Sequence, residues 1–283
     1  MKNLLIRLGQ QIAEHISEHL PKNKQVYPFF NGELLILETD FGWHCFPKDQ
    51  VNHVISYMNS DFDKGMKNWI SNHCSTDTTY IDIGANAGTF CGIASRQISA
   101  GKIIAIEPLA DLEDCIRMNV QLNNPSVEFH YHSCAIGPKF EEAAFEVFQF
   151  DNRVSTSVAY NNQNLADRTQ FVQVTVKNIN NLKINPTKHV VIKIDAEGAE
   201  TDILEQVYKF TQAHRNIQYN VGFEYAPSHL ERGGQSFERI YDIITRDFAV
   251  EAYFINELSG AEHPRFDPAT ANLSGNVGFK YVC

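Results

Sequence analysis

Tyr80-Ile81-Asp82-Ile83-Gly84-Ala85-Asn86-Ala87-Gly88 decides how this chain is read. An apolar run ends in Asp82, two glycines bracket a short turn, and the helical pattern Phe90 to Gln97 follows. Glycine at such places lets the backbone turn sharply and lets a ligand approach the main chain. The helix start that comes next presents unpaired N–H groups to it. Outward from this loop, short apolar runs with β-branched residues alternate with longer helical patterns, the signature of a parallel sheet covered on both faces. Strands are predicted at 80–83, 102–107, 127–133, 190–195, 219–224, 249–254 and 277–282.

The last two strands are joined by residues 258–274, rich in Gly, Pro and Asn and without a helical pattern that could return the chain for parallel pairing. The last strand is therefore expected to be antiparallel. The fold class that follows is α/β, a Rossmann-like sheet of seven strands with an antiparallel last strand, as in class I methyltransferases. Nicotinamide-binding domains usually stay parallel. Residues 76–283 are read as this domain, with an insertion at about 138–188 whose strand-like runs at 143–150 and 171–176 predict a hairpin near the substrate.

Residues 1–75 are read as a helical or mixed cap. It comprises a helix to Leu20, an extended run 33–38, an aromatic patch 41–44 and a helical stretch 51–73. Leu5, Leu8, Ile12, Ile16 and Leu20 form one apolar stripe, expected to pack on the chain's own body or on a second copy, as in a homodimer. Polar residues interrupt it before a signal-peptide core could form, and no run approaches the roughly 18 apolar residues of a membrane span. The six cysteines are scattered without a C-x-x-C pair, which suits a reducing compartment, and a cytoplasmic location is expected. With 24 Lys plus Arg against 34 Asp plus Glu, the net charge of −10 repels a polyphosphate backbone, so nucleic acid is not an expected partner.

Glu107 closes the strand after the glycine loop, about 20 residues on, where a carboxylate faces the same crevice and can accept hydrogen bonds from both ribose hydroxyls of a nucleoside. The loop is D-x-G-x-N-x-G, not G-x-G-x-x-G, and it opens with a carboxylate that would repel a pyrophosphate. A cationic ligand matches better. S-adenosylmethionine carries a sulfonium and an ammonium, and Asp82 is expected to favour both, with Gly84, Ala85, Asn86 and Gly88 forming the rest of the cofactor loop.

In Ile192-Lys193-Ile194-Asp195-Ala196-Glu197-Gly198-Ala199-Glu200 an apolar strand ends in carboxylates at the sheet's carboxyl edge, where ligands of open α/β folds bind. Asp195 and Glu197 are assigned to the site and Glu200 to helix capping. Lys193 shares a face with Asp195 and is expected in an ion pair, with Glu224 as partner. Ser133, Cys134 and Ala135 end the third strand, where relatives of this fold contact the adenine. His229 follows the fifth strand at the ligand edge, while His130 and His132 are read as sheet residues.

These strings, with Ile106-Glu107-Pro108 and the run Val172 to Leu182, resemble the FkbM-type methyltransferases over about residues 76–255. The resemblance implies a class I methyltransferase fold, S-adenosylmethionine as methyl donor, Pro108 beside Glu107 in the cofactor site, and O-methylation of a sugar, glycan or natural-product hydroxyl. The segment Val176-Lys177-Asn178-Ile179-Asn180-Asn181-Leu182 departs from the family's usual Leu-Asp, and the cap has no counterpart in it. The expected enzyme moves a methyl group from sulfonium to a hydroxyl by in-line displacement, with Asp195 as first choice of general base and His229 as second. Some small-molecule O-methyltransferases of this fold hold magnesium on carboxylates after the fourth and fifth strands, and Asp195 with Glu224 offers two such groups. The alternatives are a nicotinamide-dependent oxidoreductase and a non-catalytic methyltransferase-like binding subunit.

Overall fold

The apolar runs at the centre of the sheet become strands because both of their faces are covered, whereas the run expected at 249–254 is a strand only at 253–255, since Ala249 takes a left-handed backbone, φ 54°. In the computed structural model, which describes residues 26–29, 34–48, 50, 54, 56, 57, 61–148, 157, 158 and 169–283, all six residues of the strand that carries Asp82 are buried. The N-terminal portion forms β1 (Val26–Phe29), β2 (Leu34–Thr39) and β3 (Gly42–Pro47), an antiparallel sheet in that order, followed by helix α1 (Lys64–His73). The body then runs β4 (Thr78–Ile83), α2 (Thr89–Ser95), β5 (Lys102–Ile106), α3 (Glu113–Asn123) and β6 (Glu128–His132). After the short β7 (Ala135–Ile136) the insertion supplies β8 (Glu141–Phe148), β9 (Ser157–Val158) and β10 (Thr169–Lys177). The second half runs β11 (His189–Ile194), α4 (Glu200–Ala213), β12 (Gln218–Tyr225), α5 (Pro227–Arg232), α6 (Phe237–Asp242), β13 (Tyr253–Ile255), β14 (Glu262–Arg265) and β15 (Gly275–Val282).

The large sheet has the order β14-β13-β15-β12-β11-β4-β5-β6. β6, β5, β4, β11 and β12 are parallel, and β15 inserts antiparallel between β12 and β13. This is the strand order of the class I methyltransferase, Rossmann-like fold. The sheet has eight strands rather than the seven expected, because residues 262–265 within the predicted loop 258–274 pair with β13. Chain order reverses at the boundary of β4 and β11. A crevice opens there, above the carboxyl ends of the strands, and open α/β sheets place their ligands in that position.

The insertion is the expected hairpin, with β8 antiparallel to β10, and β10 also pairs with β7. In the cap the extended run expected at 33–38 is β2, the described part is mainly a three-stranded sheet, and within the expected helical stretch 51–73 a turn through residues 61–63 precedes α1. The predicted helix to Leu20, with its apolar stripe, lies outside the described residues. Among the described residues no helix is long and apolar enough to cross a membrane.

Two asparagines dock this small sheet on the body. On α3, one turn apart, Asn119 and Asn123 face β3 and imitate a neighbouring strand. Asn119 Oδ1 accepts from the Cys45 N–H (2.8 Å) and its Nδ2 donates to the Cys45 carbonyl (2.7 Å). Asn123 does the same for Trp43, at 3.0 and 2.7 Å. Asn119 also donates to the carbonyl of Ala87 (2.7 Å), so one buried amide joins β3, α3 and the glycine loop. Removing it leaves buried backbone groups without partners. Asn119→Ala is expected to destabilise the protein by about 2–4 kcal/mol. Urea denaturation of the variant beside wild type checks this, and an unchanged midpoint would refute the docking role.

Candidate active site

The register of the two central strands brings the two sequence motifs together. Lys193 on β11 lies beside Asp82 on β4, and Ile194 beside Ile83. The loops that follow pack in backbone contact. Gly84 adopts φ 78° and a Cβ there would sit 1.9 Å from the carbonyl oxygen of Asp195; at Gly88, with φ 82°, it would sit 2.7 Å from Cα of Ile116 on α3. Both glycines thus serve close packing of chain on chain, a need beyond the expected approach of a ligand.

Above these loops lies a cavity of about 290 Å³. Of the predicted site residues, Gly84, Ala85, Asn86, Glu107, Pro108, Ala135, Asp195 and Glu197 line it. Asp82, Gly88, Ser133 and His229 are not on its wall. Sequence reasoning missed the contribution of Tyr57, Phe62 and Asp63 from the cap and of Thr89, Phe90 and Ile203 from the body. The predicted hairpin only flanks the cavity: no described residue of 138–188 lines it.

Glu107 stands just past the end of β5 and is 4% exposed. Its Oε2 accepts from the N–H of Asn86 and its Oε1 from that of Leu109, each at 2.9 Å. The Tyr131 hydroxyl braces the same segment by donating to the carbonyls of Glu107 (3.0 Å) and Leu109 (3.1 Å). The carboxylate is therefore fixed in orientation and keeps free lone pairs toward the cavity. Burial pushes Glu107 up to about 7, against those two backbone bonds.

Asp82 does not reach the ligand space expected for it. It is fully buried, its Oδ2 accepts from the Cys91 thiol (3.3 Å), and its Oδ1 lies 3.5 Å from Lys193 Nζ. Lys193 also donates to Asp195 Oδ2 (3.1 Å) and stands 4.7 Å from the centre of the Phe90 ring. Its expected ion-pair partner Glu224 is replaced by these two aspartates. Burial works against the ammonium, yet Asp195 and Asp82 outweigh it and hold Lys193 above its ordinary pKa. Glu200 accepts from the backbone N–H groups of Ala196 (3.1 Å) and Gly198 (2.9 Å), ordering the turn into α4.

Glu197 and His229 form a second cluster at the rim. His229 Nδ1 lies 3.2 Å from Glu197 Oε2 and 3.7 Å from Glu224 Oε2, and Arg232 is 3.7 Å from Glu197 Oε2. Burial pushes Glu197 up to about 8, while Glu224 and then Glu197 hold His229 above its ordinary value. Of the pair expected to offer oxygens to magnesium, Asp195 and Glu224, Asp195 already has one oxygen bonded by Lys193, and Glu224 lies instead in the cluster with Glu197 and His229. Among the described residues, Glu197, Glu224 and His229 form a set of three whose ligand atoms lie within 4.8 Å of one another. That set fits magnesium poorly, since it supplies an imidazole and has a guanidinium beside it, where magnesium takes hard oxygens in an octahedron.

Buried carboxylates with raised pKa make stability fall with pH. Burial pushes Asp63 up to about 6, Glu107 and Glu200 to about 7 and Glu197 to about 8, from ordinary values of 3.8 for Asp and 4.5 for Glu. Over that window the folded chain holds protons that the unfolded chain has released. Their contribution is complete below the unfolded values and is lost as pH rises through the folded ones. The urea midpoint of the ligand-free protein is therefore expected to be higher at about pH 5.5 than at about pH 8.5, and a rise in the opposite direction would contradict these burials.

Among solved structures the chain is similar to an O-methyltransferase from Bacillus cereus in complex with SAH (13% identity, TM-score 0.46, covering 83% of this chain and 88% of that one). It is also similar to a SAM-dependent methyltransferase from Agrobacterium tumefaciens (8%, 0.43, 88% and 70%). A third likeness is to precorrin-6y C5,15-methyltransferase from Geobacter metallireducens GS-15 (12%, 0.38, 78% and 89%). The fold class rests on the strand order rather than on these distant likenesses. No curated protein sequence matches. A family model described as Vibrio cholerae RfbT protein matches residues 2–283, nearly the whole chain, so the protein belongs to the Vibrio cholerae RfbT protein family, where its motifs alone resemble the FkbM type.

Proposed function

We propose that this protein is an S-adenosylmethionine-dependent methyltransferase that methylates a hydroxyl group of a sugar, glycan or natural product. The observation that carries the reading is Glu107. A carboxylate locked by two backbone N–H groups, on the wall of a cavity at the point where strand order reverses, suits the two hydroxyls of a ribose. The FkbM-like strings support the same donor. In the reaction the S–CH3 bond breaks as the O–CH3 bond forms, the sulfur leaves as neutral thioether, and the hydroxyl proton passes to a base. Asp195 is that base in our reading, since it lines the cavity while Lys193 fixes one of its oxygens. His229 stands off the wall behind Glu197 and is the second choice. A cytoplasmic location agrees with six cysteines that are all free thiols.

Thermal shift and calorimetry test this directly. S-adenosylhomocysteine is expected to bind and raise the melting temperature by mass action, and NADH to leave it unchanged. Glu107→Ala is expected to remain folded and to weaken S-adenosylhomocysteine binding by about 1.5–3 kcal/mol, the loss for charge-assisted hydrogen bonds. Stabilisation by NADH and not by S-adenosylhomocysteine would overturn the methyltransferase reading in favour of a dehydrogenase.

A further inference from the structure

Asp63 is withheld from its own helix. It occupies the N-cap position of α1, where an aspartate ordinarily accepts a hydrogen bond from the second or third helical N–H. Here its side chain makes no capping bond, and its backbone is left-handed, with φ 51° and ψ 20°. That conformation is costly for a residue other than glycine, and least so for Asn and Asp. Asp63 lines the cavity, and among the described residues no hydrogen bond or ion pair reaches its carboxylate, although the charges of Lys67 and Lys193 act on it from further off. A half-buried carboxylate without protein donors keeps its acceptor capacity for a ligand in the cavity.

The neighbours define what such a ligand offers. Asp63 shares the cavity with Asp195, Glu197 and Glu224, and Lys193, the ammonium among the described residues of its wall, is already held by two aspartates. An anionic group would be repelled. The Tyr57 hydroxyl is engaged with Thr89 at 2.8 Å, and Phe62 and Phe90 present apolar faces. Burial, with Asp195 adding to it, pushes Asp63 up to about 6, so at neutral pH the group is mostly ionised and accepts hydrogen bonds. Apolar ring faces beside a carboxylate acceptor suit a polyhydroxylated ring.

We propose that Asp63 is an acceptor-binding residue, contributed by the N-terminal portion, which takes hydrogen bonds from the hydroxyls of a neutral polyhydroxylated acceptor and seats it beside Asp195. This rests on the methyltransferase reading above and names the acceptor half of the same site.

The test uses the full chain saturated with S-adenosylhomocysteine and, as probes, methyl glycosides of neutral hexoses and 6-deoxyhexoses, with binding followed by calorimetry. Asp63→Gly removes the carboxylate and tolerates the left-handed backbone; Asp63→Asn keeps the shape and that backbone. At least one glycoside is expected to bind the wild-type complex. Its affinity is expected to fall about tenfold or more in Asp63→Gly and less in Asp63→Asn, while S-adenosylhomocysteine affinity stays within about twofold in both. Equal glycoside affinity in wild type and Asp63→Gly would overturn the proposal, as would a matching loss of S-adenosylhomocysteine affinity in the variants. Failure of every glycoside to bind the wild-type complex would overturn it too while leaving the cofactor reading intact. Failure of wild type to bind S-adenosylhomocysteine would overturn the methyltransferase reading and this inference with it.

Discussion

A lysine ammonium buried between two carboxylates holds the site together. Lys193 is 3% exposed, and an amine so far from water is tolerated only with opposite charge and hydrogen bonds around it. Asp82 comes from β4 and Asp195 from the loop after β11, so the charge requirement joins the two motif-bearing segments. Replacing Lys193 by a neutral residue would leave the buried Asp82 carboxylate without its counter-charge and facing a second carboxylate at the cavity wall. The same triad explains why Asp82 is sealed below the cavity while Asp195 remains at its wall. A cationic sulfonium nearby would complete the balance of a site that otherwise carries an excess of carboxylates.

Around that triad the two parts of the chain divide the work. The body supplies one rigid wall, in which Glu107 is fixed by main-chain donors and Tyr131 braces the loop. The N-terminal portion supplies Tyr57, Phe62 and Asp63 and is fastened by Asn119 and Asn123. Because Asn119 bonds both Cys45 and Ala87, the position of the small sheet and the shape of the glycine loop are set by the same side chain.

The strands of the body were legible because period and composition declare a doubly covered parallel sheet, and Glu107 and Asp195 were legible because each ends such a strand. β14 was not, since its four residues include Pro264 and show no alternation, which suits an edge strand. The burial of Asp82 and its pairing with Lys193 depend on register between strands more than a hundred residues apart in sequence, and no local pattern states it. Asp63 carries no motif. Its turn is visible only as a break in a helical pattern, and Asn119 and Asn123, at helical spacing with no apolar signal, gave no sign that they complete another sheet. The Glu197, Glu224 and His229 cluster needed the fold to bring β12 and α5 against the turn before α4.

The most direct measurement is a crystal structure of the protein soaked with S-adenosylhomocysteine. The account predicts the ribose hydroxyls within hydrogen-bond distance of the Glu107 carboxylate and the sulfur directed toward Asp195. A ligand bound elsewhere, or one in this cavity whose ribose makes no contact with Glu107, would contradict it.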